Sequence, residues 1–182
     1  MKKNKTLTKI FVDLIVLGLL FVGTTALATT TATVAATVTL QNVAVQMSVG
    51  GTVTYGTLAV NTTKTTLTGG VNQPQTASNS GNVAEDFNIE GTNSADWTLA
   101  GTASADQYVH RFCKTGCGTD SSPTLGTGGN GFTVLSSSGY TALATNVATS
   151  GTQSFDLMIN MPTSSTHFGS ESVDVVVQAV AH

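Results

Sequence analysis

The chain has 182 residues, of which 40% are hydrophobic and only 9% charged, with a formal net charge of −3; ordinary globular domains carry about 25% charged residues. Without the basic N-terminus discussed next, Lys64, Arg111 and Lys114 face nine acidic residues, a net of −6. Three basic residues exclude the electrostatic footprint of a nucleic-acid binder, and the negative balance makes an anionic membrane surface an unfavourable partner.

Lys2, Lys3, Lys5 and Lys9 precede an apolar run, Ile10 to Val22, and Ala26-Leu27-Ala28 follows. Basic region, apolar region and an A-x-A site predict a secretory signal peptide over 1–28, cleaved between Ala28 and Thr29. The run is short of the ~20 residues that span a bilayer, and Asp13 inside it disfavours a permanent anchor. The alternative is an uncleaved anchor. With no Cys near the cleavage site, lipidation there is not expected. The expected location is extracellular or at the cell surface, with no membrane contact once the leader is gone. Residues 29–182 are long enough for one domain with its own core.

From Thr29 onward apolar residues recur with period two, and no stretch sustains a helical period. Val34, Ala36, Val38 and Leu40 form one stripe; after Gln41-Asn42 the phase flips to Val43, Val45, Met47 and Val49, which predicts a bulge or bend. Gly50-Gly51 reads as a turn into a strand through Val53, Tyr55 and Thr57–Val60, with a short strand around Thr65–Leu67. Phe87 and Ile89 face opposite to Asp86, Asn88 and Glu90; Trp97 and Leu99, Tyr108 to Phe112, Phe132 to Leu135 and Tyr140 to Leu143 follow. Phe155, Leu157, Ile159 and Met161 form an inward stripe ended by Pro162, and Val173, Val175, Val177 and Ala179 close the chain. About nine or ten strands at this spacing predict an all-β fold, a single antiparallel β-sandwich with jelly-roll or Greek-key-like connections. One interruption, the Gly-rich loop 114–131, holds six glycines.

Cys113 and Cys117 predict a disulfide in an oxidising compartment. It closes so short a loop that it pins a turn rather than stapling the fold. His110, Cys113 and Cys117 are spaced like metal ligands, yet no second Cys/His pair completes a site. Asp86, Asn88 and Glu90 share one face of a strand and are weak Ca²⁺ candidates, against the plainer reading of a solvated outer face. Gly126–Gly131 satisfies G-x-G-x-x-G, but Phe132–Leu135 after it reads as a strand, not the helix that a dinucleotide site requires; it is assigned to a flexible loop. No catalytic residues and no cofactor are expected: there is no G-x-S-x-G elbow, and the adjacent Glu85 and Asp86 point to opposite faces. Trp97, Tyr108 and Tyr140 are candidates for a sugar-stacking platform, the alternative for a lone Trp being the core.

The leader ending Ala26-Leu27-Ala28, the strand directly after it, and the phrases Gly56-Thr57-Leu58-Ala59-Val60 and Ser78-Asn79-Ser80-Gly81-Asn82-Val83 carry a resemblance. Over about a third of its length the chain resembles the TasA/camelysin type of exported matrix protein. The resemblance implies a jelly-roll sandwich whose N-terminal segment pairs with the next subunit of a fibre. The Cys113–Cys117 turn and the Gly-rich loop lie outside that pattern. The residues themselves point the same way, because Thr29 to Val49 is apolar and β-prone and would be an aggregation hazard if exposed. It either joins its own sheet or adds to a neighbour's. Two functions follow as expectations: a structural surface protein, a fibre or matrix subunit with itself or other surface proteins as partner, and a monomeric binding module or adhesin for carbohydrate or protein. An enzyme is not expected.

Overall fold

The computed structural model describes residues 35–182, so the leader and the cleavage site at Ala28–Thr29 lie outside the described residues. Twelve strands follow in order: β1 (Val45–Val49), β2 (Thr63–Thr65), β3 (Gln75–Asn79), β4 (Glu85–Gly91), β5 (Thr98–Leu99), β6 (Gln107–Cys113), β7 (Gly118–Thr119), β8 (Ser122–Pro123), β9 (Thr133–Val134), β10 (Thr141–Val147), β11 (Thr152–Asn160) and β12 (Val175–Ala181). No helix occurs among the described residues, and the fold is an all-β sandwich of antiparallel sheets.

The larger sheet runs β1-β3-β11-β6-β5, with β2 on β11 beyond β3 and β9 on β6; the smaller runs β10-β4-β12. Only the two-residue β5–β6 pair is parallel among the ladders. The alternation read from the sequence decides which side chains meet. On β4, Glu85, Phe87, Ile89 and Gly91 point inward and are buried, while Asp86, Asn88 and Glu90 point outward and are half-buried. Phe155, Leu157 and Ile159 of β11, Tyr108 and Phe112 of β6, and Leu143 and Val147 of β10 join Phe87 and Ile89 in one core with Ala77, Trp97, Leu99 and Leu135. Each fully buried large side chain contributes roughly 2–3 kcal/mol of transfer free energy. Tyr108 is wholly buried because its hydroxyl donates to the Thr92 carbonyl.

β11 is buried on both faces. Met158 points away from the main core and packs with Phe132 and Cys113, flanked by Leu67 and Cys117. The chain between Cys113 and Phe132, the 114–131 loop in which Gly126–Gly131 is expected to be flexible, adds Cys117 to this cover. It is instead hydrogen-bonded throughout: Lys114 and Thr115 N–H donate to the Gly129 carbonyl, Phe132 N–H to Thr124, Thr124 N–H to Cys117 and Gly131 N–H to Thr115. β7 and β8 make a hairpin within it. The glycines are what make this local network possible. Gly126 faces the Asn130 carbonyl so closely that a Cβ would lie 1.8 Å from it, and Gly118 has φ of 77° where a Cβ would meet the Ser122 carbonyl at 2.5 Å.

Three other expectations are corrected. Residues 35–42 belong to no sheet. Val53–Val60 forms no strand and pairs with none among the described residues, with Gly56 at φ 76° and a bend at Thr57. A central strand was missed, β3, because its sequence Gln-Thr-Ala-Ser-Asn carries no apolar alternation. Its polar groups are satisfied internally: Asn79 Nδ2 donates to the Val83 and Val147 carbonyls, and its Oδ1 accepts from Gly81 N–H.

Candidate functional site

The unit Thr39–His182 leaves two strands with an unpaired edge on the same side of the sandwich. β1 pairs only with β3, and β12 only with β4. On β1 the predicted inward stripe is poorly covered: Val43 and Met47 are each 38% exposed and Val49 is 53% exposed. The predicted phase flip lies just before this strand, and the pairing itself is bulged between Met47 and Val49. On β12 the inward residues Val175, Val177 and Ala179 touch the core yet stay half-buried, whereas Phe87 and Ile89 beside them are fully buried. The difference marks an open seam between the sheets.

At one end of the seam lies a cleft of about 910 Å³. Its floor is the inner face of the larger sheet, Phe155, Leu157 and Ile159, and its walls are Val53–Leu58 on one side and Val173–Val175 with Val177 on the other. Gly50 and Gly51, both at positive φ, turn the chain from β1 into the first wall. Gln75 fixes that turn by accepting Gly51 N–H through Oε1, and no side chain fits at Gly50, where a Cβ would lie 2.2 Å from the same oxygen. Val53, Tyr55 and Leu58 then point inward. Between Thr52 and Val60 no backbone group bonds to the backbone of another described residue.

Tyr55 anchors this wall. Its hydroxyl lies 3.0 Å from His110 Nε2, with the rings edge to face at 6.0 Å. His110 is 2% exposed, and its Nδ1 has no hydrogen-bond partner. Burial pushes the imidazole pKa down to about 4, so it stays neutral near pH 7. Burial also raises the Tyr55 hydroxyl well above the usual phenol range, with Asp156 and Tyr108 adding to the effect. The pair is a buried peg.

At the other end of the seam the chain enters the domain. Asn82 grips Leu40–Asn42 from both sides: Oδ1 accepts Asn42 N–H at 2.7 Å, Nδ2 donates to the Leu40 carbonyl at 2.8 Å, and its own N–H donates to the Asn42 carbonyl. Ser80 N–H donates to the Ala44 carbonyl, and buried Glu85 accepts Ala44 N–H at 2.7 Å. Gly81 lets these strands approach, since a Cβ there would lie 2.3 Å from both the Asn42 carbonyl and Glu85 Oε1. The Ser78–Val83 phrase singled out in the sequence is therefore the clamp on the N-terminal segment. Leu40 itself is 82% exposed.

The remaining predicted residues fall elsewhere. Cys113 and Cys117 form the predicted disulfide, with Cα atoms 5.7 Å apart, and so cannot ligate a metal with His110, which turns inward. Asp86, Asn88 and Glu90 share the outer face of β4 as read. Asp86 Oδ1 there accepts Asn146 N–H and contacts His182 Nδ1, partners that hold its carboxyl below the usual range, and Glu90 lies against the Tyr140 hydroxyl. Among the described residues no three His, Cys, Asp or Glu side chains are grouped as a metal site. Trp97 and Tyr108 are core residues and Tyr140 is 42% exposed, so the three do not form a stacking platform. Sequence reasoning missed Asp120, which ties the disulfide segment to β2: its Oδ1 accepts the Thr65 hydroxyl at 2.7 Å, and Lys64 Nζ lies 3.5 Å from Oδ2. A lone Asp within a Ser/Gly-rich stretch gave no signal of this.

Compared with models of protein families, with curated proteins and with solved structures, the chain has no match.

Proposed function

We propose that this protein is an exported structural surface protein, a fibre or matrix subunit that assembles through its N-terminal strand. The observation that carries the reading is the course of Thr39–Ala44: this stretch runs on beyond β1, gripped by Asn82 and outside any sheet, with Leu40 left exposed. Continuous with it in sequence is Thr29–Leu40, where every even position from Ala32 on is apolar and Pro, Gly and charge are absent. A segment of that kind gains most by pairing with another strand. An oxidising compartment fits the Cys113–Cys117 disulfide.

Negative-stain microscopy and size-exclusion chromatography of the chain beginning at Thr29 test this. The expected result is filaments or void-volume polymer, lost on deletion of Thr29–Leu40 with the thermal unfolding transition retained. A discrete monomer at high concentration, or filaments that survive the deletion, refutes it.

A further inference from the structure

We infer that the seam along β12, with its cleft beside Val53–Leu58, is the seat for the Thr29–Leu40 segment of a second copy of this chain, joined head to tail. This rests on the reading above that the chain polymerises through that segment, and it adds the acceptor.

The first ground is backbone chemistry. In the β4–β12 ladder Thr92 N–H donates to the Asp174 carbonyl at one end and His182 N–H to the Ala84 carbonyl at the other. Antiparallel pairing alternates inward and outward groups, so even-numbered residues of β12 bond to β4. The N–H and C=O of Val175, Val177 and Ala179 therefore point to the unpaired edge, where no described strand meets them. The opposite wall, Thr52–Val60, makes no backbone–backbone bond among the described residues, although Thr54 N–H donates to Gln73 Oε1 and the Ala59 carbonyl accepts the Thr62 hydroxyl. A small apolar ligand would leave these groups unpaired; an added strand satisfies them.

The second is side-chain complementarity. The seam leaves Val175, Val177, Ala179 and Met47 only partly covered. A strand added at β12 turns one face toward them and the other to solvent. Thr29–Leu40 has such faces, with Ala32, Val34, Ala36, Val38 and Leu40 on one and mostly Thr on the other. β12 carries no Lys or Pro to repel an added strand.

The third is polarity. β1 begins at Val45 opposite Asn79 and ends at Val49 opposite Thr76, next to the Gly50-Gly51 turn into the cleft. The chain thus enters at one pole and the cleft lies at the other, on the order of 20 Å away along β4. At the first pole Asn82 holds Leu40–Asn42 on both sides. Twelve extended residues reach ~40 Å, enough to lie along a neighbour's seam. A donor at one pole and an acceptor at the other make a heterologous contact, which propagates as a filament.

The experiment uses the chain beginning at Thr29. Val177→Pro removes an N–H that bonds to nothing in the sandwich and blocks the outer edge, as Pro does on edge strands; filament mass should fall about tenfold or more while the unfolding transition persists. Independently, hydrogen exchange on wild-type filaments against monomer should show the amides of Val175 and Val177 slowed at least about tenfold; this result stands even if the Pro variant fails to fold. Filaments that form without protection at β12, or equally well in a folded Val177→Pro protein, overturn the acceptor and leave assembly intact. Wild-type protein that stays monomeric overturns both.

Discussion

The buried Tyr55–His110 peg makes stability depend on pH in a way that can be calculated. His110 is 2% exposed and its pKa falls from 6.5 to about 4 on folding. Between those values the unfolded chain binds a proton that the folded chain does not. Stability is therefore full above pH 6.5 and is lost progressively as pH falls toward 4. At pH 4 the loss from this one group is roughly 3 kcal/mol, which corresponds to a fall on the order of 10 °C in Tm for a domain of this size. Asp86, Asp106, Asp120 and Glu171, whose carboxyls are held below their usual range mainly by hydrogen bonds, also cost stability in acid. The measurement must therefore be a difference. His110→Phe cannot titrate, so urea unfolding of wild type and variant from pH 7 to pH 4 isolates the imidazole. The variant should be less stable at pH 7 by about 1 kcal/mol, because the Tyr55 hydroxyl loses its partner, and should fall less steeply below pH 6.5. Parallel curves through that window would refute the reasoning.

Two further outcomes follow from local geometry. Gly81→Ala should lower stability by about 1–3 kcal/mol by forcing the Asn42 carbonyl and Glu85 away, and hydrogen exchange should show residues 40–44 released; an unchanged unfolding midpoint would contradict the clamp. Reduction of Cys113–Cys117 should cost no more than about 2 kcal/mol, given the short loop it closes, with exchange rising first over 114–131 and hardly at all in β4; global unfolding on reduction would show the bridge to be a staple of the whole fold.

Where burial is one-sided, the sequence was a good guide. Phe87 and Ile89, Phe155, Leu157 and Ile159, and Val175, Val177 and Ala179 alternate because one sheet face meets the core, and each lies where the period-two pattern placed it. The pattern failed where other forces set the structure. β3 is held by ladders on both sides and by the Asn79 amide, so its side chains need not be apolar. Val53 and Tyr55 are spaced as in a strand, but Tyr55 is pegged to His110 rather than held in a ladder. The 114–131 segment looked structureless because glycine-dependent backbone bonds and a shielded Met158 leave no periodic trace. Of the entry region, the Ser78–Val83 phrase stood out in the sequence and holds Leu40–Ala44 in the structure. The open edge of β12 was not legible, because an unpaired strand has the same sequence as a paired one.

The pairing of β4 with β12 also has a kinetic side. Val175 meets Gly91 and Ala181 meets Glu85, so the β4–β12 ladder cannot form until residues 175–181 have been made, long after β4 and β10. Contacts this distant in sequence slow folding. Until Val175–Ala181 arrive, Phe87 and Ile89 are missing a neighbour on one side. A newly made chain therefore passes through a state in which β4 is paired with β10 alone, and deletion of residues 175–181 should hold it there, with one edge of β4 open to the wrong partner.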